Sequence, residues 1–418
     1  MSVILHSDLN NFYASCECLL NPALAGKPVA VCGKVSERHG IVLAKNYLAK
    51  AQGIKTGMTV IEARSKSKDI VFVEPHHDIY MYYSQKVKNI YRQYTDKIES
   101  FGIDEAWLDV TESVKAFGDG EKIAQEIRRR VKEEIGLTVS IGVSFNKTFA
   151  KLGSDLKKPD AVSVISKQNY KDVVWKLPVE SLLGVGKATT SKLNKIGIWT
   201  IGSLAKFDIR IIKDKLGKCG EQIWNWANGE DFDPVKKDNE FEEVKSVGNS
   251  TTFYRDIDDY NDIVTLICML SESVVYRMKK YNVGYAKTLH LSLITNDLSH
   301  YGMQSAFTNP TMSSNDLIAL ATKIYRDNFV SLGKIRGIGV SVSNFIKEEQ
   351  LLITTMQQQR DKNEHIDKAI ESLRSRYGNS SIKRGLLLFD KRFDQIEING
   401  ANITAQNLGL QSTSIHQT

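Results

Sequence analysis

The chain has 418 residues, 42% hydrophobic and 25% charged, which suits an ordinary soluble protein with room for about three domains. A net charge of +7 and a pI near 8.9 are compatible with a polyanionic partner without requiring one. The cysteines (Cys16, Cys18, Cys32, Cys219, Cys268) form no Cys-x-x-Cys pair or zinc set, and no secretory leader or run of roughly 18 apolar residues is present, so a reduced, cytoplasmic, non-membrane protein is expected.

Val3-Ile4-Leu5 is an apolar run ending against His6, Ser7 and Asp8, which predicts a buried strand with a carboxylate at its C-terminal end. A small, loop-rich stretch follows to about residue 79, with turn signals at Asn21-Pro22, Gly26-Lys27-Pro28 and Gly53. Tyr83, Val87, Ile90, Tyr91 and Tyr94 recur at helical spacing and predict a helix over residues 80–94. Strands at 98–101 and 106–110 flank a hairpin-like junction, Gly102-Ile103-Asp104-Glu105. Ile123, Ile127, Val131 and Ile135 mark another helix, and residues 138–143 and 162–165 read as strands.

With the loop-rich segment taken as an insertion, this order is β-α-β-β-α-β, a split βαβ unit. Such a sheet can bring Asp8 beside the distant Asp104-Glu105 pair. Short helices with Gly-rich joints continue to about residue 233, and a polar linker follows at 234–240. A second β-α-β-β-α-β pattern then appears, with helices at 263–280 and 316–332 and strands at 286–295, 301–307 and 335–342. It shares no obvious repeat with the first. Beyond residue 350 come a Gln-rich turn and a helix with Ile366, Ile370, Leu373 and Tyr377 on one face; the polar end, 399–418, is expected to be disordered.

Two divalent cations about 3.5–4 Å apart need several oxygen ligands, and a strand-end aspartate plus an Asp-Glu pair at a neighbouring hairpin could supply them. Adjacent strand residues face opposite sides, so Asp104 and Glu105 converge only if the local turn permits. Solvated turn carboxylates are the competing reading.

The run Ser7-Asp8-Leu9-Asn10-Asn11-Phe12-Tyr13-Ala14, followed by Leu20-Asn21-Pro22 and Gly26-Lys27-Pro28-Val29-Ala30-Val31, resembles the N-terminus of Y-family DNA polymerases. Gly102-Ile103-Asp104-Glu105-Ala106-Trp107-Leu108-Asp109 resembles their second catalytic signature. Ser140-Ile141-Gly142-Val143-Ser144-Phe145-Asn146-Lys147 continues the likeness, as does Ala150-Lys151-Leu152 through Asp155 to Lys158-Pro159. The motifs keep the family's order and approximate spacing, and the resemblance covers residues 1 to about 345.

The resemblance implies an α+β right-hand polymerase that extends a primer on a template with low fidelity, in translesion synthesis during a DNA-damage (SOS-type) response. Its palm is a split-βαβ, ferredoxin-like unit (1–10 and 80–166). Fingers occupy 11–79, a helix-hairpin-helix thumb 167–233, and a second ferredoxin-like unit, the little finger, 241–347. A tail follows at 348–418.

Asp8, Asp104 and Glu105, with the Leu9 carbonyl, are implied to hold two Mg²⁺ ions, with Mn²⁺ able to replace them. Tyr13 matches the steric gate against a 2′-hydroxyl, while Phe12 reads equally as a core ring. Tyr47, Lys50 and Lys158 match triphosphate contacts, although Lys50 stands where arginine is common and so lacks a bidentate fork. Gly184, Gly186 and Lys187 resemble a helix-hairpin-helix that binds DNA phosphate through backbone N–H groups. Lys245, Ser246, Asn249, Ser250, Thr251, Thr252 and Arg336 offer a further phosphate track.

Gln350-Leu351-Leu352-Ile353 sits where bacterial members carry a sliding-clamp peptide, but Thr354 replaces its aromatic anchor. Expected partners are primer-template DNA, deoxynucleoside triphosphates, the clamp and accessory repair proteins, with the chain itself a monomer. The tail inclines the reading toward the DNA polymerase V catalytic-subunit kind over DNA polymerase IV. A two-metal nuclease and a non-catalytic DNA-binding scaffold are the rivals. The steric gate and triphosphate contacts have no use in the first, and intact carboxylates argue against the second.

Overall fold

A computed structural model describes residues 2–33, 40–238, 240 and 243–347, with a few positions between 366 and 382. They divide into two compact units, residues up to 240 forming one and those from 243 onward the other.

In the first unit, β1 (Ile4–Leu9) is buried along its whole length because it is the middle strand of a sheet covered on both faces. β5 (Ile98–Ser100), β6 (Glu105–Asp109), β7 (Val139–Ser144) and β8 (Val162–Val164) complete that sheet in the order β5-β6-β1-β7-β8. β6 and β7 both run antiparallel to β1, the pairing a split βαβ unit requires. One face is covered by α4 (His77–Tyr91) and α6 (Gly120–Arg130), whose Tyr80, Val87, Ile90, Ile123 and Ile127 pack on Leu5, Leu108 and Ile141. α5 (Val114–Phe117) is a short turn between β6 and α6, and a π-turn over Val131–Ile135 prolongs α6.

The opposite face receives α7 (Lys147–Leu156). Gly142 allows this approach, because a Cβ there would lie 1.9 Å from the Ala150 carbonyl oxygen and 2.5 Å from the Ser154 nitrogen.

The stretch expected to be loop-rich is more regular than its turn signals imply. It opens with α1 (Phe12–Leu20) and holds a three-stranded sheet, β3-β2-β4, made of β2 (Val29–Cys32), β3 (Val42–Lys45) and β4 (Val71–Val73). α2 (Tyr47–Ala51) and α3 (Val60–Lys66) pack Ala49 and Ala63 on Ala30 and Val42. These elements are too short for periodicity to register, and their core mixes the small Ala30, Ala49 and Ala63 with Val42 and Ile54.

α8 (Tyr170–Val174), α9 (Lys187–Asn194), α10 (Ile201–Lys206) and α11 (Ile209–Ala227) form a helical layer with its own core, including Leu193, Ile201, Leu204 and Ile223. The polar segment that follows is not a free linker. Val235 is buried against Ile4, Trp107 and Ala150, Lys236 N–H donates to Glu99, and Arg92 pairs with Asp238 at 2.6 Å.

The second unit contains β9 (Ser246–Ile257), α12 (Tyr260–Lys280), β10 (Tyr285–Thr295), β11 (His300–Thr311), α13 (Ser314–Asn328) and β12 (Ile335–Ile346). It repeats the β-α-β-β-α-β succession with its own strand order, β11-β10-β12-β9, in keeping with the absence of a sequence repeat. Leu266, Leu270 and Val274 of α12 and Leu317 and Ala321 of α13 cover Leu289, Leu291, Val340 and Val342. Further on, Ile366, Ile370, Leu373 and Tyr377 are helical, as their spacing predicts. Among the described residues no helix is long and apolar enough to cross a membrane.

Candidate active site and nucleic-acid contacts

The β1–β6 ladder sets Asp8 directly opposite Glu105, and the Leu9 N–H donates to the Asp104 carbonyl at 3.0 Å. All three acidic residues therefore lie at one end of the sheet. Asp104 precedes the first residue of β6, so the strict alternation of a strand does not bind it to the face opposite Glu105.

Burial pushes the Asp104 carboxyl up to about 7, with further upward pressure from Glu105 and Asp8. Burial likewise raises Asp8 to about 6, against the pull of Lys158. Desolvation also pushes the half-buried Glu105 upward, but its contacts with His6 and Lys151 outweigh that and hold it low. Lys158 donates to Asp8 at 2.7 Å and to Asp155 at 2.9 Å, and Lys151 donates to Glu105. No lysine, arginine or histidine pairs with Asp104 among the described residues.

With two of the carboxylates turned to lysines, no group of three acidic, histidine or cysteine side chains closes into a metal-holding cluster among the described residues. The donor set nevertheless fits hard divalent cations. It consists of carboxylate oxygens, holds two carboxyls raised chiefly by burial with mutual repulsion added, and leaves one member with no cation.

Around this end stand the other expected contacts. Phe12 is 3% exposed and packs in the core, which favours the core-ring reading of its side chain. The half-buried Tyr13 ring stacks on Tyr80 with centroids 4.2 Å apart. Asn46 caps α2, accepting from Ala49 N–H at 2.9 Å and donating to the Lys27 carbonyl at 2.7 Å, and so fixes the helix that carries Tyr47 and Lys50. Tyr47 lies within electrostatic reach of Asp8 and Lys158, and Lys50 sits 5.6 Å from the Tyr47 ring centroid.

Sequence reasoning assigned no role to Lys151, Asn10 or Glu17. Lys151, Asp155 and Lys158 are spaced four and three apart from α7 onward, a signal that could have placed them together. Asn10 is buried, donates to Ser140 at 2.9 Å and accepts from the Asp160 N–H at 2.9 Å, tying the Lys158 loop to the end of β1. No sequence pattern discloses it.

In the helical layer, Gly184 has φ +81, which only glycine adopts freely, and Gly186 is the N-cap of α9 with no side-chain cap. Lys187 begins that helix and lines an open cleft of about 540 Å³ with Lys195, Thr190 and the exposed Trp199.

Strand alternation divides the candidates of the second unit. Asn249 is turned toward α12, donating to Ser273 at 2.9 Å, and Thr251 shares its side of β9. Ser246, Ser250 and Thr252 occupy the other face, opposite Ser343, Gly339 and Gly337. Lys245 is exposed just before β9 and Arg336 lies near the start of β12. The proposed phosphate track therefore loses Asn249 and Thr251. Gln350, Leu351, Leu352 and Ile353 lie outside the described residues.

Comparison with known proteins agrees with this arrangement. Residues 7–155 match the impB/mucB/samB family, residues 244–359 its C-terminal domain, and residues 180–231 a DNA polymerase-iota thumb domain. The chain is similar to DNA polymerase IV of Acetivibrio thermocellus, 45% identical over 94% of this chain and 99% of that one. It is also similar to DNA polymerase IV 1 of Bacillus subtilis (strain 168), 35% identical over 92% and 93%. Among solved structures, a Y-family DNA polymerase chimera of Dbh and Dpo4 matches with TM-score 0.73 and 26% identity, covering 83% of this chain and all (100%) of that one. An insertion ternary complex of Dbh DNA polymerase matches with TM-score 0.57 and 26% identity, with the same 83% and 100% coverage.

These names correct the inclination toward the DNA polymerase V kind, which rested on the tail alone: the relatives called DNA polymerase IV align over nearly the full length. The chain belongs to the Y family of DNA polymerases, and it is a DNA-directed DNA polymerase of the low-fidelity, translesion type.

Proposed function

We propose that this polymerase adds deoxynucleotides with Asp8, Asp104, Glu105 and the Leu9 carbonyl holding two Mg²⁺ ions, for which Mn²⁺ can substitute. The observation that carries the reading is the register pairing of Asp8 with Glu105 while Leu9 is hydrogen-bonded to Asp104. When bound, the ions supply a lowered pKa for the primer 3′-hydroxyl and charge neutralisation for the triphosphate. On this reading Lys158 and Lys151, which pair with Asp8 and Glu105, would yield those carboxylates to the ions. Lys158 then turns to the triphosphate with Tyr47 and Lys50. Tyr13 excludes the 2′-hydroxyl from beneath the sugar.

The partners of this reading are primer-template DNA and deoxynucleoside triphosphates. The Dbh complex with which the chain shares its fold is an insertion ternary complex, which supports them. Residues 1–10 and 80–166 serve as palm, 11–79 as fingers, 167–233 as thumb, and the unit from 241 to 347 as little finger. Gly184, Gly186 and Lys187 on one unit, and Lys245, Ser246, Ser250, Thr252 and Arg336 on the other, hold DNA phosphates without reading sequence. The chain works as a cytoplasmic monomer, with Gln350–Ile353 available to a sliding clamp; binding with and without residues 346–418 tests the last point.

The experiment that tests the centre is primer extension by Asp104→Ala and Glu105→Ala. Both variants fold, and neither lengthens a primer. Normal extension by either one refutes the metal assignment.

A further inference from the structure

Behind the Tyr13 ring lies a buried polar arrangement that the proposed chemistry does not use. Glu17 is 3% exposed and sits one helical turn after Tyr13 on α1. Its carboxylate accepts a hydrogen bond from the Tyr80 hydroxyl at 2.5 Å and another from His76 Nδ1 at 2.9 Å. A carboxylate cut off from water needs such donors, so the contacts hold each other in place. Tyr80 is itself fully buried, and its ring lies flat on Tyr13, 4.2 Å between centroids and 13° between planes. His77 meets Tyr13 edge-on at 5.8 Å and Tyr80 at 5.7 Å.

This makes a stack with a fixed back. A retreat of Tyr13 toward Tyr80 presses on that ring, and a shift of Tyr80 pulls its hydroxyl away from Glu17.

We propose that Glu17, acting through Tyr80, is a positioning residue for sugar discrimination: it sets how far the Tyr13 ring yields to a 2′-hydroxyl. The proposal rests on the reading of Tyr13 as the steric gate. Neither Glu17 nor Tyr80 touches the nucleotide. Both act on selectivity by denying the gate room to retreat.

The test is the ratio of kcat/KM for deoxynucleotide over ribonucleotide in the full chain, measured for Glu17→Gln, Tyr80→Phe, Tyr13→Ala and the double variant Glu17→Gln/Tyr13→Ala. Glu17→Gln weakens the hydrogen bond from Tyr80, and Tyr80→Phe keeps the ring while removing the hydroxyl. Each is expected to lower the ratio about three- to tenfold, chiefly through a lower ribonucleotide KM, with deoxynucleotide kcat/KM held within about twofold. In the Tyr13→Ala background Glu17→Gln is expected to change nothing further, because the ring it positions is gone.

Equal losses for both sugars, or an undiminished effect of Glu17→Gln without Tyr13, overturn the proposal. If Tyr13→Ala loses discrimination while Glu17→Gln and Tyr80→Phe retain it, the backing role fails and the gate stands. If Tyr13→Ala leaves discrimination intact, the gate reading fails and takes this one with it. Should Glu17→Gln fold poorly, Tyr80→Phe carries the same decision.

Discussion

The Lys158 ammonium lies 2.7 Å from the Asp8 carboxylate, so a residue expected to grip the triphosphate pairs with a residue expected to grip metal. The lysine serves as a counter-ion to Asp8. Lys158→Ala removes both a competitor for Asp8 and a contact to phosphate. Deoxynucleotide KM is expected to rise about tenfold with a smaller change in kcat, as for the loss of a charge-assisted hydrogen bond. Mg²⁺ should bind the nucleotide-free variant more tightly than the parent. Steady-state kinetics and a Mg²⁺ titration check the two halves, and an unchanged KM would make Lys158 a bystander.

Asp104 and Asp8 link stability to pH in an unusual direction. Both carboxyls are raised in the folded chain, Asp104 to about 7 and Asp8 to about 6, chiefly by burial. A raised acid binds its proton more tightly folded than unfolded, so the native state loses stability as pH climbs from about 4 toward 7. Glu105 works in the opposite sense, being held low, but its contribution changes only below its ordinary range. Since Asp104 is partly open to solvent, its ionisation is expected to cost about 1–2 kcal/mol. The Asp104→Asn protein should accordingly melt higher than the parent at pH 8 and not at pH 4. Mg²⁺ should raise the melting temperature more at pH 8 than at pH 6, because binding needs the ionised carboxylates. A Mg²⁺ effect independent of pH would contradict this.

Gly142 is where α7 presses on β7. A methyl group there meets backbone rather than a movable side chain, at 1.9 Å from the Ala150 carbonyl oxygen. Gly142→Ala is expected to cost about 3 kcal/mol or more and to displace the helix that carries Lys151 and Asp155. A melting temperature within about two degrees of the parent would mean that the helix does not sit so close.

The two faces of β9 should respond differently to mutation. Lys245→Ala is expected to weaken DNA binding and reduce the slope of log affinity against log salt by about one. Asn249→Ala loses the bond to Ser273 and should lower the melting temperature with DNA affinity unchanged. Filter binding across a salt series, beside thermal melts, separates the two. A DNA-binding loss in Asn249→Ala would place that side chain on the open face after all.

How much of this was legible beforehand varies with the interaction involved. The strand before Asp8 and the hairpin before Glu105 were readable, because apolar runs and turn residues act locally. α1 was not, since its buried positions Phe12, Ala14, Cys16 and Glu17 mix apolar with charged while its leucines, Leu19 and Leu20, are exposed, so no apolar stripe marks it. The docking of residues 231–238 was also hidden. The stretch is polar apart from Phe232, which is exposed, and Val235, whose partners Ile4, Trp107 and Ala150 are scattered along the chain. Asn249 and Thr251 were grouped with Ser250 and Thr252 because neighbouring polar residues look alike until a register assigns their faces.

What the amino-acid order determined by itself was the set of chemical types and their spacing: the acidic signatures, the aromatic after the first of them, the glycine-rich joint and the twofold βαββαβ succession. Those follow from short-range propensity and from motifs specific enough to identify a family. Only the tertiary structure decided which lysine faces which carboxylate, that Phe12 turns into the core while Tyr13 stays at the surface of it, and that Glu17 anchors Tyr80 behind Tyr13. Such choices depend on hydrogen bonds and packing between residues from one turn to more than a hundred positions apart, and nothing in the local pattern of a chain records which distant partner a buried polar group will meet.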